Sequence, residues 1–211
     1  MKKILKLEFL KNDLIIALAC ALLISGLLAL TGFDAKCEEL RENILRLHIL
    51  ANSDSDKDQM IKLRVRDKLL EASNGLYENL EDKEDAKRIT ENNIEFLKSE
   101  AEEVVKQCGE DYNVDISVGK AYFSTREYKD FTLPAGEYDA VRVLIGEAKG
   151  KNWWCIMFPS LCIPSASDNN SLDKAVDEKS AEIAENAPKY KMEFKTVEIV
   201  ENIKHWFKKM K

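Results

Sequence analysis

The sequence predicts an α+β fold: a single globular domain with an antiparallel sheet flanked by helices, preceded by one N-terminal membrane helix or signal segment. Three observations lead there. Apolar residues recur at helical spacing from about 55 to 108, at a period of two from 114 to 158, and in an unbroken uncharged run over 14–33. With 45% hydrophobic residues and only 8 Gly and 4 Pro in 211, the chain can bury a core and does not read as disordered.

The run Leu14 to Phe33 would reach about 30 Å as a helix, the thickness of a bilayer's hydrocarbon. Lys2, Lys3, Lys6 and Lys11 precede it, so the positive-inside rule leaves the N-terminus in the cytoplasm and exports the rest of the chain. Residues 1–33 are therefore a signal peptide or a signal anchor. The candidate cleavage sites after Thr31 and Ala35 have poorly suited residues, which favours the anchor. Residues 34–43 read as a linker, and 44–211 as the exported domain. That split concentrates the acid: the chain carries a net charge of −6, and the 178 residues beyond Phe33 carry −8. So acidic a domain does not suit a nucleic-acid partner.

Ile44 to Leu50 alternates as a strand, with Leu45, Leu47 and Ile49 on one face and Arg46 and His48 on the other. Ala51 to Asp58 then stops the strand, and Ser55 with Asp58 forms a capping box for a helix to about Ala72 through Ile61, Val65 and Leu69. A second helix is expected over Asp82 to Cys108, burying Ile89, Phe96, Leu97, Ala101, Val104 and Val105 and stopped by Gly109. Val114, Ile116 and Val118 open the strand region, with a further extended piece from Tyr122. Leu133-Pro134-Ala135-Gly136 reads as a type I turn into a strand over Tyr138 to Ile145. Trp153 to Phe158 should return beside that strand as its antiparallel partner, across the Gly-bounded loop 146–152. A helix from Leu172 to Asn186 and an amphipathic, basic segment ending Lys204-His205-Trp206-Phe207-Lys208-Lys209-Met210-Lys211 complete a helical C-terminal part over 171–211. Such a tail either packs with snorkelling lysines or rests on anionic headgroups.

Candidate chemistry is sparse. His48 and His205 are the two histidines. Ser53, His48 and Asp54 could be imagined as a hydrolytic triad, but no nucleophile-elbow glycines flank the serine, and a structural His48 bonded across the sheet is the simpler account. Asp54, Asp56 and Asp58 imitate the opening of a calcium loop. Gln59 replaces its glycine and Val65 its glutamate, so helix capping explains them better. No Cys-x-x-Cys spacing supports a metal centre, and neither a metal, a cofactor nor a small-molecule substrate is expected. Of the cysteines beyond the apolar run, Cys155 and Cys162 are the disulfide candidates, because the six residues between them include Pro159 and can reverse the chain. Closing that loop would contribute about 2.5 kcal/mol; two buried thiols are the alternative. Trp153 and Trp154 must point to opposite faces of their strand, so one indole becomes a contact anchor unless both faces are covered.

Two blocks of residues match a known pattern. Arg46-Leu47-His48-x-x-Ala51-Asn52-Ser53-Asp54-Ser55, Asp58-Gln59 and Lys62-Leu63-x-Val65-Arg66-Asp67 form the first. Leu133-Pro134-Ala135-Gly136-x-Tyr138-x-Ala140-x-Arg142, Ile145-Gly146 and Gly150-x-Asn152-Trp153-Trp154-Cys155 through Phe158-Pro159-x-Leu161-Cys162 form the second. Over residues 44–162 the chain resembles the stage II sporulation protein R family of endospore-forming bacteria. The resemblance implies a protein made in the forespore and exported into the space between the two cells. There it would trigger a membrane-embedded aspartic protease that processes the pro-form of sigma-E. It implies a signal rather than an enzyme. The alternatives are an extracytoplasmic hydrolase using His48 and a membrane-anchored structural module of the spore envelope. Partner contacts are expected from His48, Asn52, Ser53 and Asp54 at one loop and from Asn152, Trp153 and Trp154 at the other, since loops on a rigid scaffold carry contacts. The competing reading is that both blocks define the fold.

Overall fold

The structure is a computed structural model and describes residues 16–18, 20–21, 25, 31–77, 80, 82–128, 131–159 and 176–210. Most of the apolar run 14–33, expected as a membrane helix or signal segment, lies outside the described residues. Among the described residues no helix is long and apolar enough to cross a membrane.

Helix α1 covers 31–43. The stretch 34–43 reads as a linker in the sequence, yet Cys37 and Leu40 on it are fully buried. Strand β1 (Leu45–Leu50) comes directly after it, then α2 (Asp56–Leu76), α3 (Lys83–Asn92), α4 (Ile94–Gln107), β2 (Val114–Phe123), β3 (Arg126–Glu127), β4 (Thr132–Leu133), β5 (Gly136–Ile145) and β6 (Asn152–Phe158). The chain closes with α5 (Glu178–Glu185), a 3-10 turn over Ala187–Tyr190 and α6 (Lys191–Lys209).

Ser55 caps α2 as its sequence demands, its side chain accepting the N–H of Asp58. The single helix expected over Asp82 to Cys108 is two. Asn93 ends α3 and starts α4 with φ −115° and ψ 18°, donating its N–H back to Thr90 and its side-chain amide to Ile89. Asparagine competes for backbone groups in this way, which is why it interrupts the run. The break also turns Phe96 outward, so this residue, expected in the core, is 44% exposed.

The four main strands lie in the order β2-β5-β1-β6. β5 is antiparallel to β2, but β1 is parallel to β5 and antiparallel to β6. The sheet is therefore mixed, not antiparallel, and the expected β5–β6 hairpin does not form because β1 stands between its arms. Burial explains the insertion. Leu45 through Ile49 are all buried, so β1 needs cover on both faces and a neighbour on both edges. The residues from 146 to 151 are enough to cross the roughly 10 Å that one intervening strand imposes.

One sheet face, carrying Leu47, Ile49, Val141, Val143, Ile116 and Cys155, packs on Ile61, Val65 and Leu69 of α2 and on Leu97, Ala101 and Val105 of α4. Asp139 lies on this side and is held by Lys83 and Lys87 of α3 and Lys120 of β2. Among the described residues, the other face is covered at one end, where Leu40, Ile44, Ala181 and Ala184 meet Tyr138, Ala140, Ile156 and Phe123. Phe33 stacks edge-on against Phe194 at 5.2 Å, so that α1, Ile183 and α6 form a third, smaller core. α6 packs through Phe194 and Val197, while Ile199, Ile203, Trp206, Phe207 and Met210 are exposed on its other sides.

Candidate functional site

The loop after β1 and the loop after β5 are bonded to each other. Asn52 spends its whole amide there: Nδ2 donates to Asp58 Oδ2 at 2.9 Å, and Oδ1 accepts the N–H of Glu147 at 2.9 Å. Asp54 Oδ1 accepts the N–H of Lys151 at 2.7 Å, and the N–H of Gly150 donates to the Ala51 carbonyl. Beneath them the Ser53 hydroxyl donates to Asp58 Oδ2 at 2.5 Å, Gln59 Nε2 to the Ser53 carbonyl, and Lys62 Nζ to Gln59 Oε1 and the Lys151 carbonyl. Burial opposes ionisation of Asp58, but hydrogen bonds from Ser53, Asn52 and Tyr112 outweigh it and hold the carboxyl below its usual range. Two glycines let the loops meet this closely. A Cβ at Gly146, whose φ is +57°, would collide with the Asn52 amide, and one at Gly150 with the Ser53 carbonyl.

Pairing register then lines up one transverse row on the open half of the second sheet face: Ser117, Arg142, His48 and Trp154. The His48 ring stacks on Trp154 with centroids 3.7 Å apart, and its Nε2 shares a 2.7 Å hydrogen bond with Asn152 Oδ1. An amide oxygen only accepts, so Nε2 carries the proton. Burial lowers the His48 pKa, the Asn152 bond opposes that shift, and the positive charges of Arg142 and Arg46 reinforce it. One row further into the domain Arg46 is fully buried, its guanidinium 4.1 Å from the Phe123 ring centre and 4.9 Å from that of Tyr138. Nη2 donates to the Tyr128 hydroxyl at 2.6 Å, whereas Nε and Nη1 have no partner. Arg126 lies over the indole of Trp154 at 5.4 Å.

The residues singled out in the sequence thus separate into three places. Asn52, Ser53 and Asp54 belong to the loop clasp, where every one of their side chains is engaged. His48, Asn152 and Trp154 share the open sheet face. Trp153 lies on the opposite face, packed against the main core with Arg66 over its ring at 4.6 Å. The Ser53 hydroxyl is committed to Asp58 and His48 to Asn152, so Ser53, His48 and Asp54 do not assemble into a triad. Asp54 and Asp58 receive backbone and side-chain donors in place of the cation their spacing imitates. Cys155 is disulfide-bonded; Cys162, its expected partner, lies outside the described residues. Sequence reasoning does not single out Arg46, Arg126 or Arg142. The available signal is Arg46 alternating with His48 on the polar face of β1.

This geometry defines a class: an α+β domain with a mixed sheet, polar loops that brace each other and a sheet face that bears arginines. Comparison with known proteins supplies the family. The family model described as stage II sporulation protein R matches residues 41–168, more than half of the chain, and the chain belongs to that family. Stage II sporulation protein R of Bacillus subtilis (strain 168) is 29% identical over 178 residues, covering 81% of this chain and 80% of its own length. No solved structure matches the chain.

Proposed function

We propose that this chain is an exported intercellular signal of endospore formation that triggers a membrane-embedded aspartic protease to process the pro-form of sigma-E. Membership of the stage II sporulation protein R family, over residues 41–168, carries this reading. The apolar run 14–33 with its preceding lysines gives the export route, with the N-terminus in the cytoplasm and the bulk between the two membranes. The protein acts by binding and not by turnover. A ligand of this kind activates only as far as it prefers the protease's active state over the inactive one.

The test is expression of the chain in the forespore of a sporulating strain that lacks its own relative, with a sigma-E-dependent reporter and processing of the pro-form as readouts. Restored processing is the expected result; normal levels of exported protein without processing would sink the reading. His48→Ala in the same strain addresses the hydrolase alternative. With Ser53 bonded to Asp58 and His48 to Asn152, the variant should keep at least a substantial part of the processing activity wherever its protein level is normal.

A further inference from the structure

Among the described residues, the second sheet face has a covered end and an open end. At the open end the edges and rows are populated by Asp115, Ser117, Arg142, Asn152 and Trp154, of which Asp115, Ser117, Arg142 and Asn152 are exposed and Trp154 half-buried. His48 forms the floor beneath the indole. Arg126 reaches in from β3, with a buried Nε that has no partner.

This face gathers three arginines, Arg46 and Arg142 from neighbouring strands and Arg126 over Trp154. Arg46, Arg126 and Arg142 form no ion pair among the described residues, although the chain offers 38 acids against 32 bases. Of the other arginines, Arg41, Arg66 and Arg88 find carboxylates, and Arg64 donates to the Cys108 sulfur. Asp115 and Glu127 stand close by in the sequence of this region and pair with none of the three. Burying a guanidinium as completely as Arg46 without a carboxylate is costly, and the rings of Phe123, Tyr138 and Tyr128 and the Tyr128 hydroxyl compensate it in part. In so poorly screened a place, its charge adds to the field at the surface above.

We propose that this open end, centred on Trp154 and flanked by Arg126 and Arg142, is the docking surface for an acidic peptide segment of the partner protein. The inference rests on the reading that this chain works by binding a protein, and it names the chemistry of the bound segment. Carboxylates of the segment meet the two flanking guanidiniums, which suit planar bidentate contact, while an adjacent residue covers the half-buried indole. The side chains of Asn52, Ser53 and Asp54 are already committed to the loop clasp and serve to hold β1 and β6 in place beneath it.

The test uses the full chain in nonionic detergent micelles and a fluorescein-labelled short peptide of alternating Glu and Thr, read by anisotropy at low and high salt. The control peptide has every Glu replaced by Gln. The acidic peptide should bind about tenfold tighter than the control at low salt and lose that margin at high salt. The double variant Arg126→Gln/Arg142→Gln should abolish the margin, and Arg88→Gln, at an exposed position of α3, should leave it intact. Equal binding of the two peptides, or an equal loss with Arg88→Gln, overturns the proposal. The same double variant and the unaltered chain are then compared in the sporulating strain. Peptide discrimination without reporter activity from the unaltered chain keeps the surface and removes the signalling role. Reporter activity without peptide discrimination does the reverse.

Discussion

Gly150 shows how a single residue can hold the architecture. Its missing Cβ leaves room for the Ser53 carbonyl, and the obstacle is backbone that no rotamer change can move aside. Gly150→Ala should therefore destabilise the domain by about 1–3 kcal/mol in urea denaturation, as overpacking generally does. Asp58→Ala should cost about as much for a different reason, because it strands the Asn52 amide and the Ser53 hydroxyl without their acceptor. Cys37 offers a chemical check on the first helix. Burial pushes its thiol up to about 12, only partly opposed by Arg41, so the thiolate is scarce at neutral pH. In the native protein Cys37 should resist iodoacetamide while half-buried Cys108 reacts; equal labelling would contradict the packing of α1. The loop motif is legible in the sequence as a set of residues, and its purpose is not. The partners of Asn52 and Asp54 lie near residue 150, and no local spacing announces a contact between chain segments that far apart.

At the scale of elements, period and capping place β1, α2, β2, β5 and β6, but they miss α1, β3 and β4, merge α3 with α4, and do not specify the pairing. Alternation assigns the faces of β1 correctly, yet Arg46 and His48 give it the look of a half-solvated strand and hide five consecutive buried residues that require an interior position. Asn93 splits a helix whose hydrophobic spacing looks continuous. α6 illustrates the limit of periodicity most plainly, since its apolar residues occupy more than one side and only contact decides which side is core. Phe194→Ala should cost about 3–5 kcal/mol, whereas Ile203→Ser on the exposed side should stay within about 0.5 kcal/mol. Comparable losses from both, in thermal or urea melts, would mean that the exposed side is also packed in solution.

For the molecule as a whole, acid tolerance should be governed by Asp139. Burial disfavours its charge, but Lys83, Lys87 and Lys120 outweigh this and hold the carboxyl far below its ordinary value. The unfolded chain, with the carboxyl near about 4, takes up this proton first as pH falls. The stabilisation is thus complete above that value and drains away as pH drops through it towards the depressed folded one. Urea midpoints taken from neutral to acid pH should fall steeply for the unaltered chain and less steeply for Asp139→Asn, which begins from a lower stability because Lys83 stays buried. The topology also has a bearing on timing. β1 is the first strand, but both of its neighbours arrive about a hundred residues later, β5 first and β6 last, one on each side. A chain delivered N-terminus first, whether from a ribosome or through a membrane, must keep that interior strand waiting with both edges bare until β5 has emerged, and with one edge bare until Phe158 has. The finished sheet is in effect a record that the chain has been delivered as far as Phe158, and a chain cut short before β6 leaves β1 as a bare edge.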